Sequence, residues 1–165
     1  MRWILDACTL IYIVKSESFE TFYSLCDFPI NIDSSVFEEV VIQGKKYNYQ
    51  DAFTIEKTLQ IHKIPVIQVE IQDYIEILHD PGETSTFVLA NEDGVAITSD
   101  RRAYSKYQQT NIQVIKLEQF FIHKYLDNKL QKEELLTILS NLERIWAITP
   151  KDYLNILSKL NMLEK

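Results

Sequence analysis

The chain has 165 residues, of which 46% are hydrophobic and 25% are charged, and this balance favours one folded domain and excludes a mostly disordered chain. Acidic residues outnumber basic ones by 24 to 17, and the net charge of −7 is opposite to that of proteins that bind nucleic acid through a basic surface. No apolar run approaches the roughly 18 residues that span a bilayer, and the two cysteines lack metal or disulfide spacing. We expect a soluble, cytoplasmic protein.

Short apolar runs alternate with longer helical patterns along the chain. The apolar runs predict strands at residues 2–5, 29–32, 64–69, 95–98 and 112–115. The helical patterns cover residues 8–15, 18–26, 35–43, 50–61, 70–78, 83–92, 101–109 and 117–127. This alternation predicts an α/β fold, a three-layer sandwich whose central sheet has about five largely parallel strands.

Two further helices, at 131–146 and 150–162, are predicted after the last strand. Each carries an apolar stripe, and short helices of this kind need a partner surface to be stable in water. We therefore predict a C-terminal helical hairpin at 129–165 that packs on a domain at 1–128 or on another chain. The residues of the two stripes are Leu135, Ile138, Leu139, Leu142, Ile145 and Trp146, and then Leu154, Leu157 and Leu160.

Two aspartates follow predicted strands directly. Asp6 ends the first strand, and Asp100 stands just after the strand 95–98. An aspartate in this position can cap the next helix, and it can also belong to a site, because chemistry in open α/β sheets gathers at the carboxyl ends of strands. Both interpretations stay open for both residues.

Two glutamates occur near predicted helix starts. Ser35 and Glu38 fit a capping box, which leaves the adjacent Glu39 without a local role and makes it the better candidate for a site. Residues 80–83 also resemble a capping box. Asp80 precedes the helix, Pro81 takes the first helical position, and Glu83 takes the place of the acid. Glu83 can therefore be a capping residue or a site residue.

Other catalytic chemistries have less support in the residues. Cys8 could act as a nucleophile with a distant histidine, but its apolar surroundings favour an inert thiol. An aspartyl-phosphate enzyme built on Asp6 would usually need a second aspartate at position 8, where Cys8 stands. The three glycines lie too far apart to form a phosphate-binding loop.

Four short segments together resemble PIN-domain nucleases, the family that includes VapC-like toxins. The resemblance covers residues 1–116 and implies that four acids gather at one end of a parallel sheet. Thr98 matches the small hydroxyl residue that commonly precedes the last acid. The segments are 4–11, 35–40, 82–85 and 96–100, and the four acids they contain are Asp6, Glu39, Glu83 and Asp100.

The chain departs from the family pattern in two places. Many members carry a further acid beside the last aspartate, where this chain has Ser99 and Arg101. The Gly-Thr pair that often ends the last strand is replaced by Lys116 and Leu117. We expect Thr98, Arg101 and Arg102 to be candidates for substrate contact, with pairing to nearby acids as the other role of the arginines.

Four clustered carboxylates predict a site for Mg²⁺ or Mn²⁺, since both ions prefer oxygen ligands and can activate a water at a phosphate. The resemblance implies a metal-dependent ribonuclease that hydrolyses phosphodiester bonds in single-stranded or loop RNA. It also implies that the protein could be a toxin with an antitoxin partner, and a homodimer is a further expectation. The alternative is a non-catalytic PIN scaffold that binds a protein partner.

Overall fold

A parallel sheet of five strands lies at the centre of residues 1–163, the part of the chain that the computed structural model describes. The sheet order is β3-β2-β1-β4-β5, and each neighbouring pair of strands is parallel. The α/β fold predicted from the sequence is therefore confirmed. The strands are Arg2–Leu5 (β1), Ile30–Asp33 (β2), Val66–Ile67 (β3), Gly94–Ile97 (β4) and Gln113–Ile115 (β5).

Helices occupy both sides of this sheet and precede or follow each strand. The chain also forms a π-helical turn at Glu38–Gln43. The helices are Ala7–Lys15 (α1), Phe19–Leu25 (α2), Ser34–Phe37 (α3), Gly44–Lys46 (α4), Gln50–Ile61 (α5), Ile75–Leu78 (α6), Pro81–Asp93 (α7), Arg101–Gln108 (α8), Leu117–Leu126 (α9), Lys132–Arg144 (α10) and Pro150–Leu163 (α11). No described helix has the length and apolar character needed to span a membrane.

The central strand β1 supplies side chains to both faces of the sheet. Trp3 and Leu5 belong to the core formed with α1, α2, α5, α9 and α10, and Ile4 belongs to the core formed with α7 and α8. Successive residues of a strand point to opposite faces, and a sheet covered by helices on both sides buries both sets. Trp3 packs edge-on against Phe120 with 5.3 Å between ring centroids. These contacts produce the three layers.

The edge strand β3 is shorter than its sequence predicts. It pairs only with β2, through Val66 and Ile67, and this pairing stops at Asp33, where β2 gives way to α3. The residues after Ile67 therefore have no strand to pair with, and the next helix begins only at Ile75. The predicted strand 64–69 and helix 70–78 are both longer than the elements in the structure.

The helix after β2 also begins differently from the prediction. Asp33 is its N-cap, because the Oδ1 atom of Asp33 accepts hydrogen bonds from the backbone N–H groups of Ser35 at 2.8 Å and Val36 at 3.1 Å. The capping box predicted for Ser35 and Glu38 is therefore wrong. A carboxylate is a stronger acceptor than a hydroxyl, and the Ser35 hydroxyl itself donates to Asp33.

The C-terminal helical hairpin packs against α9 and joins the hydrophobic core on one side of the sheet. Leu135, Leu139 and Leu142 of α10 are completely buried in the core that contains Trp3. The second helix begins as predicted, since the Thr149 hydroxyl accepts a hydrogen bond from the Asp152 N–H at 3.1 Å. Helix α10 is therefore part of the same hydrophobic core as β1.

Two residues of the predicted stripes are mostly exposed. Trp146 is 74% exposed, because α10 ends at Arg144 and Trp146 takes a left-handed backbone conformation with φ of 62°. Leu154 is 64% exposed. Helix α11 instead packs against the core through Tyr153, Ile156 and Leu160, so its buried face is rotated by about one residue from the predicted stripe.

We predict that Leu139→Ala lowers the free energy of unfolding by about 2–5 kcal/mol, since it leaves a cavity in a fully buried position. The matched change Leu154→Ala should alter it by less than about 0.5 kcal/mol, because Leu154 is mostly exposed. Urea denaturation followed by circular dichroism measures both values. Equal, small effects of the two substitutions would mean that α10 does not belong to the core.

Candidate functional site

An acidic cavity of about 160 Å³ opens at the edge of the sheet where β1 and β4 end. It contains all four acids whose spacing resembles a PIN domain, and it adds Asp80, which sequence reasoning assigned only to a helix start. The side chains of Cys8 and Tyr107 also line the cavity. Among the described residues, the carboxylates that line it are those of Asp6, Glu39, Asp80, Glu83 and Asp100.

Asp6 occupies the point where β1 ends and α1 begins. Its Oδ1 atom accepts a hydrogen bond of 2.8 Å from the Thr9 N–H, so Asp6 is the N-cap of α1. Its Oδ2 atom accepts a hydrogen bond from the Thr98 hydroxyl. The two interpretations of Asp6 are therefore compatible, because the same carboxylate caps a helix and lines the cavity.

Asp100 repeats this arrangement at the end of β4. Its Oδ1 atom accepts hydrogen bonds from the N–H groups of Arg102 at 2.7 Å and Ala103 at 2.9 Å, which makes Asp100 the N-cap of α8. Both bonds involve the same oxygen. Asp100 thus combines a capping role with a position in the cavity wall.

Two buried hydroxyl groups hold these strand ends together. The Thr98 hydroxyl donates to Asp6 and accepts from the Asp100 N–H at 3.1 Å. The Thr9 hydroxyl donates to the Ile97 carbonyl and accepts from the Ser99 N–H, both at 3.0 Å. Thr98 is completely buried, so the substrate contact predicted for it is replaced by a positioning role.

The π-helical turn separates the two adjacent glutamates. Glu38 accepts a hydrogen bond of 3.0 Å from the Gln43 side chain outside the cavity, whereas Glu39 lines the cavity. A Cβ atom at Gly82 would lie 3.9 Å from the Oε2 atom of Glu39, which places the Glu39 carboxylate beside the start of α7. The choice of Glu39 over Glu38 as a site candidate agrees with this geometry.

Glu83 faces the cavity from the first turn of α7 but is held by a lysine. Asp80 caps the helix by accepting a hydrogen bond of 2.8 Å from the Glu83 N–H. The Oε2 atom of Glu83 lies 2.5 Å from the Nζ atom of Lys106, which also donates to the Leu78 carbonyl at 3.3 Å. In this structure the charge of Glu83 is therefore balanced by Lys106 of α8.

Burial and neighbouring charges raise the pKa values of two of the cavity carboxylates. Burial raises the pKa of Asp6, and the nearby charge of Asp100 adds to the effect. Burial of its carboxyl group also raises the pKa of Glu39, with further contributions from the charges of Asp80, Asp6 and Asp33. Burial in the cavity wall is thus the main cause of both shifts, and the like charges of neighbouring carboxylates add to it.

Asp33 is a third aspartate at a strand end, and sequence reasoning missed it. It is completely buried, and its Oδ2 atom accepts a hydrogen bond of 3.3 Å from the Thr86 hydroxyl. Burial raises the pKa of its carboxyl group. The sequence does contain the pattern that would have identified Asp33. Like Asp6 and Asp100, it stands between an apolar run and a helical pattern. No comparable sequence signal marks Lys106.

The thiol alternative does not fit the structure. Burial and the charges of Asp6, Asp100 and Glu39 raise the pKa of the Cys8 thiol to about 12, so the thiol is neutral near pH 7. His62 lies 2.9 Å from Glu20 and packs against the Tyr23 ring. Cys8 thus lacks the ionised form that a nucleophile requires.

The two arginines that follow Asp100 are both exposed. Arg101 forms an ion pair with Asp152 at the start of α11. Pairing with an acid was the second role predicted for the arginines, beside substrate contact. This contact joins the hairpin to the cavity edge. Arg102 is exposed on the first turn of α8, where the structure shows no feature that assigns it to a substrate.

The donor set of the cavity suits Mg²⁺ or Mn²⁺, which prefer carboxylate oxygens and retain several waters. The cavity volume allows such a hydrated ion. Within residues 1–163, however, no three acidic, histidine or cysteine side chains lie close enough to ligate one ion. Direct ligation would require Glu83 to exchange its contact with Lys106 for the ion and other carboxylates to turn inward.

The profile of a domain family described as DUF3368, PIN domain, matches residues 2–161 of the chain. The chain belongs to the PIN-domain family. The resemblance predicted from four short segments is therefore confirmed, and PIN domains are usually nucleases that bind Mg²⁺ or Mn²⁺. The matched residues include α10 and most of α11.

Other comparisons add little to this assignment. No curated protein is significantly similar to this PIN domain. A solved structure described as a domain of a functionally unknown protein from Methanocaldococcus jannaschii DSM 2661 is 20% identical, with a TM-score of 0.49. The similarity covers 70% of this chain and 90% of that chain.

We predict that Glu39→Gln stabilises the metal-free PIN domain at neutral pH by up to about 0.5 kcal/mol, a small value because water screens this carboxylate. A raised pKa in the folded state means that the ionised form opposes folding. The gain in stability from Glu39→Gln should therefore be largest at pH values above the raised pKa of Glu39. It should shrink as the pH falls toward 4.5, the ordinary pKa of a glutamate. Thermal denaturation at several pH values measures it.

The matched control is Glu38→Gln, which removes the neighbouring charge outside the cavity. This substitution should leave the stability unchanged or slightly lower at every pH. If both substitutions gave the same pH dependence, the crowding of carboxylates in the cavity would not be the cause.

Proposed function

We propose that this PIN domain is a metal-dependent endoribonuclease that hydrolyses phosphodiester bonds of RNA. Asp6, Glu39, Glu83 and Asp100 would hold Mg²⁺ or Mn²⁺. The observation that carries the proposal is that these acids, on separate elements of the fold, line one cavity together with Asp80. A site with this much negative charge would repel an RNA phosphate unless a cation were bound.

The chain supplies two kinds of ligand to such a site. Asp6 and Asp100 are held in place by helix capping and by the Thr98 hydroxyl, so their positions are set before any ion binds. Glu39 and Glu83 lie in first turns of helical segments and have more freedom to adjust. A bound divalent ion would neutralise charge on the phosphate and make an attacking water more acidic.

Lys106 has a clear place in this proposal. Its Nζ atom balances Glu83 in the structure, and its side chain is 42% exposed. If Glu83 turned to a cation, Lys106 would lose its partner at the cavity edge. It could then donate to a phosphate oxygen of the substrate, where an ammonium group stabilises negative charge.

A second candidate function is a non-catalytic scaffold that binds a protein partner. The ion pair between Glu83 and Lys106 favours it, because this contact satisfies one of the acids without a metal. Such a scaffold would have no need for Mg²⁺ or Mn²⁺. Metal-dependent cleavage of RNA therefore distinguishes the two functions.

The resemblance to VapC-like toxins supports a narrower form of the nuclease proposal. In that form the RNA that is cleaved is cellular, and an antitoxin protein restrains the enzyme. The proposal also includes a homodimer as an assembly in which the enzyme could work. The chemistry assigned to the cavity is the same in each form.

We predict that Asp6→Asn and Asp100→Asn each reduce RNA cleavage by on the order of 100-fold or more, because each removes a charged ligand. Asparagine is also a good N-cap, so the fold should be retained. Cleavage of a fluorescent single-stranded RNA in Mn²⁺ measures the effect, and circular dichroism checks the fold. A chelator should abolish cleavage, and added Mn²⁺ should restore it.

Two control variants sharpen this experiment. Glu38→Gln removes an acid beside the cavity and should leave cleavage unchanged. Cys8→Ala should also retain cleavage, because the neutral Cys8 thiol has no role in the proposed chemistry. Cleavage that persists in chelator and in both asparagine variants would refute the metal-dependent mechanism. No cleavage of any RNA by the unaltered protein would favour the scaffold.

A further inference from the structure

We infer that Tyr47 and Tyr49 form a stacking platform for unpaired RNA bases next to the acidic cavity. The inference rests on the proposed ribonuclease function and names the side chains that would contact the unpaired bases of its RNA substrate. Aromatic rings bind single-stranded nucleic acid in this way because every base offers a flat face.

The two tyrosines are unusually exposed for aromatic side chains. Tyr47 is 63% exposed and Tyr49 is 60% exposed, and their ring centroids lie 6.1 Å apart at an angle of 36°. The rings are therefore close neighbours without lying flat against each other. Grouped aromatic rings on a surface are typical of a binding site, whereas single exposed apolar residues are common.

The backbone that carries the rings is well ordered by hydrogen bonds. The N–H groups of Tyr47, Asn48 and Tyr49 donate to carbonyls of the preceding helical segment, at 3.1, 3.0 and 2.9 Å. Asn48 takes a left-handed conformation with φ of 57°, which asparagine tolerates better than most residues. The turn thus fixes the backbone that carries the rings before a ligand arrives, which lowers the entropic cost of binding.

A close helix contact supports the same turn. A Cβ atom at Gly44 would lie only 2.7 Å from the Cβ atom of Ala52, so α4 and α5 approach each other as closely as glycine allows. The turn that contains the tyrosines joins these two helices. Its geometry is therefore fixed at both ends by packing.

The platform lies next to the acidic cavity. Tyr47 and Tyr49 line a second cavity of about 270 Å³, and Glu39 lines both this cavity and the acidic one. A strand whose phosphate lies at the acids would therefore have neighbouring nucleotides beside the tyrosines. This connection through Glu39 is the main reason to assign the platform to the substrate.

The charges around the second cavity also allow an RNA backbone to approach. Asp51, which lines this cavity, forms an ion pair with Lys15 at 3.4 Å. Lys45 is paired with Glu56 at 2.8 Å, and the adjacent Lys46 is exposed next to Tyr47. Lys46 can therefore contact a phosphate, although the whole chain is acidic.

The test compares RNA binding by the unaltered protein and by the double variant Tyr47→Ala/Tyr49→Ala. Fluorescence anisotropy with a 12-nucleotide unstructured RNA measures affinity apart from cleavage when Ca²⁺, which also takes oxygen ligands, replaces the Mg²⁺ or Mn²⁺ that cleavage would need. We expect the double alanine variant to bind on the order of 10-fold more weakly or worse, since each stacked base contributes substantially to affinity. Its salt dependence should stay the same, because stacking releases no counterions.

Two further variants separate stacking from a structural effect. Tyr47→Phe/Tyr49→Phe keeps the rings and should retain the affinity of the unaltered protein. Tyr23→Ala removes a tyrosine that is 41% exposed in a different cavity, beside the start of β2, and should bind RNA normally. Binding of a blunt RNA duplex should differ little between all variants.

Unchanged RNA affinity in the double alanine variant would overturn the inference. A change in its oligomeric state with intact RNA binding would also overturn it, since the tyrosines would then serve a protein contact. The proposed nuclease function fails on a different result, namely the absence of metal-dependent cleavage. Loss of binding in the alanine variant would support the platform even in that case.

Discussion

Aspartates at the ends of parallel strands determine how this protein is built around its cavity. Asp6, Asp33 and Asp100 each lie at or just after the end of a strand and accept hydrogen bonds from the first N–H groups of the next helix. Because the strands are parallel, their ends lie at the same edge of the sheet. Helix capping and the gathering of acids at one site are thus consequences of the same arrangement.

This arrangement brings negative charges together, and only some of these carboxylates have a partner that stabilises their charge. Thr98 supplies a hydroxyl to Asp6, and Lys106 supplies a positive charge to Glu83. The pKa values of Asp6 and Glu39 remain raised by burial and by neighbouring carboxylates. A divalent cation would relieve this repulsion, and in the account proposed above it would also make the acidic cavity attractive to an RNA phosphate.

The features that depend on local patterns were predictable from the sequence. Alternating apolar and helical segments predicted the parallel sheet, and four motifs located the acids that share the cavity. Contacts between distant residues were not predictable in the same way. Lys106 meets Glu83, 23 positions earlier, only because α7 and α8 are neighbours in space. The cap at Asp33 was missed because the predicted strand stopped one residue too early.

The C-terminal helices illustrate the limit of periodicity as a predictor. The stripe on α10 was predicted correctly as far as Leu142, but one left-handed residue, Trp146, ends the pattern. On α11 a rotation of about one residue exposes Leu154 and buries the neighbouring face. The spacing of apolar residues identifies a helix that has an apolar side. Which residues of that side become buried depends on the surface against which the helix packs.

We propose above all that the crowded carboxylates form a cation site. Calorimetric titration of Mn²⁺ into the metal-free protein at pH 7 tests it most directly. We expect saturable binding that Asp6→Asn and Asp100→Asn each weaken by about 10-fold or more, and that Glu38→Gln leaves unchanged. Equal Mn²⁺ affinity in all four proteins, or no binding by the unaltered protein, would contradict the account.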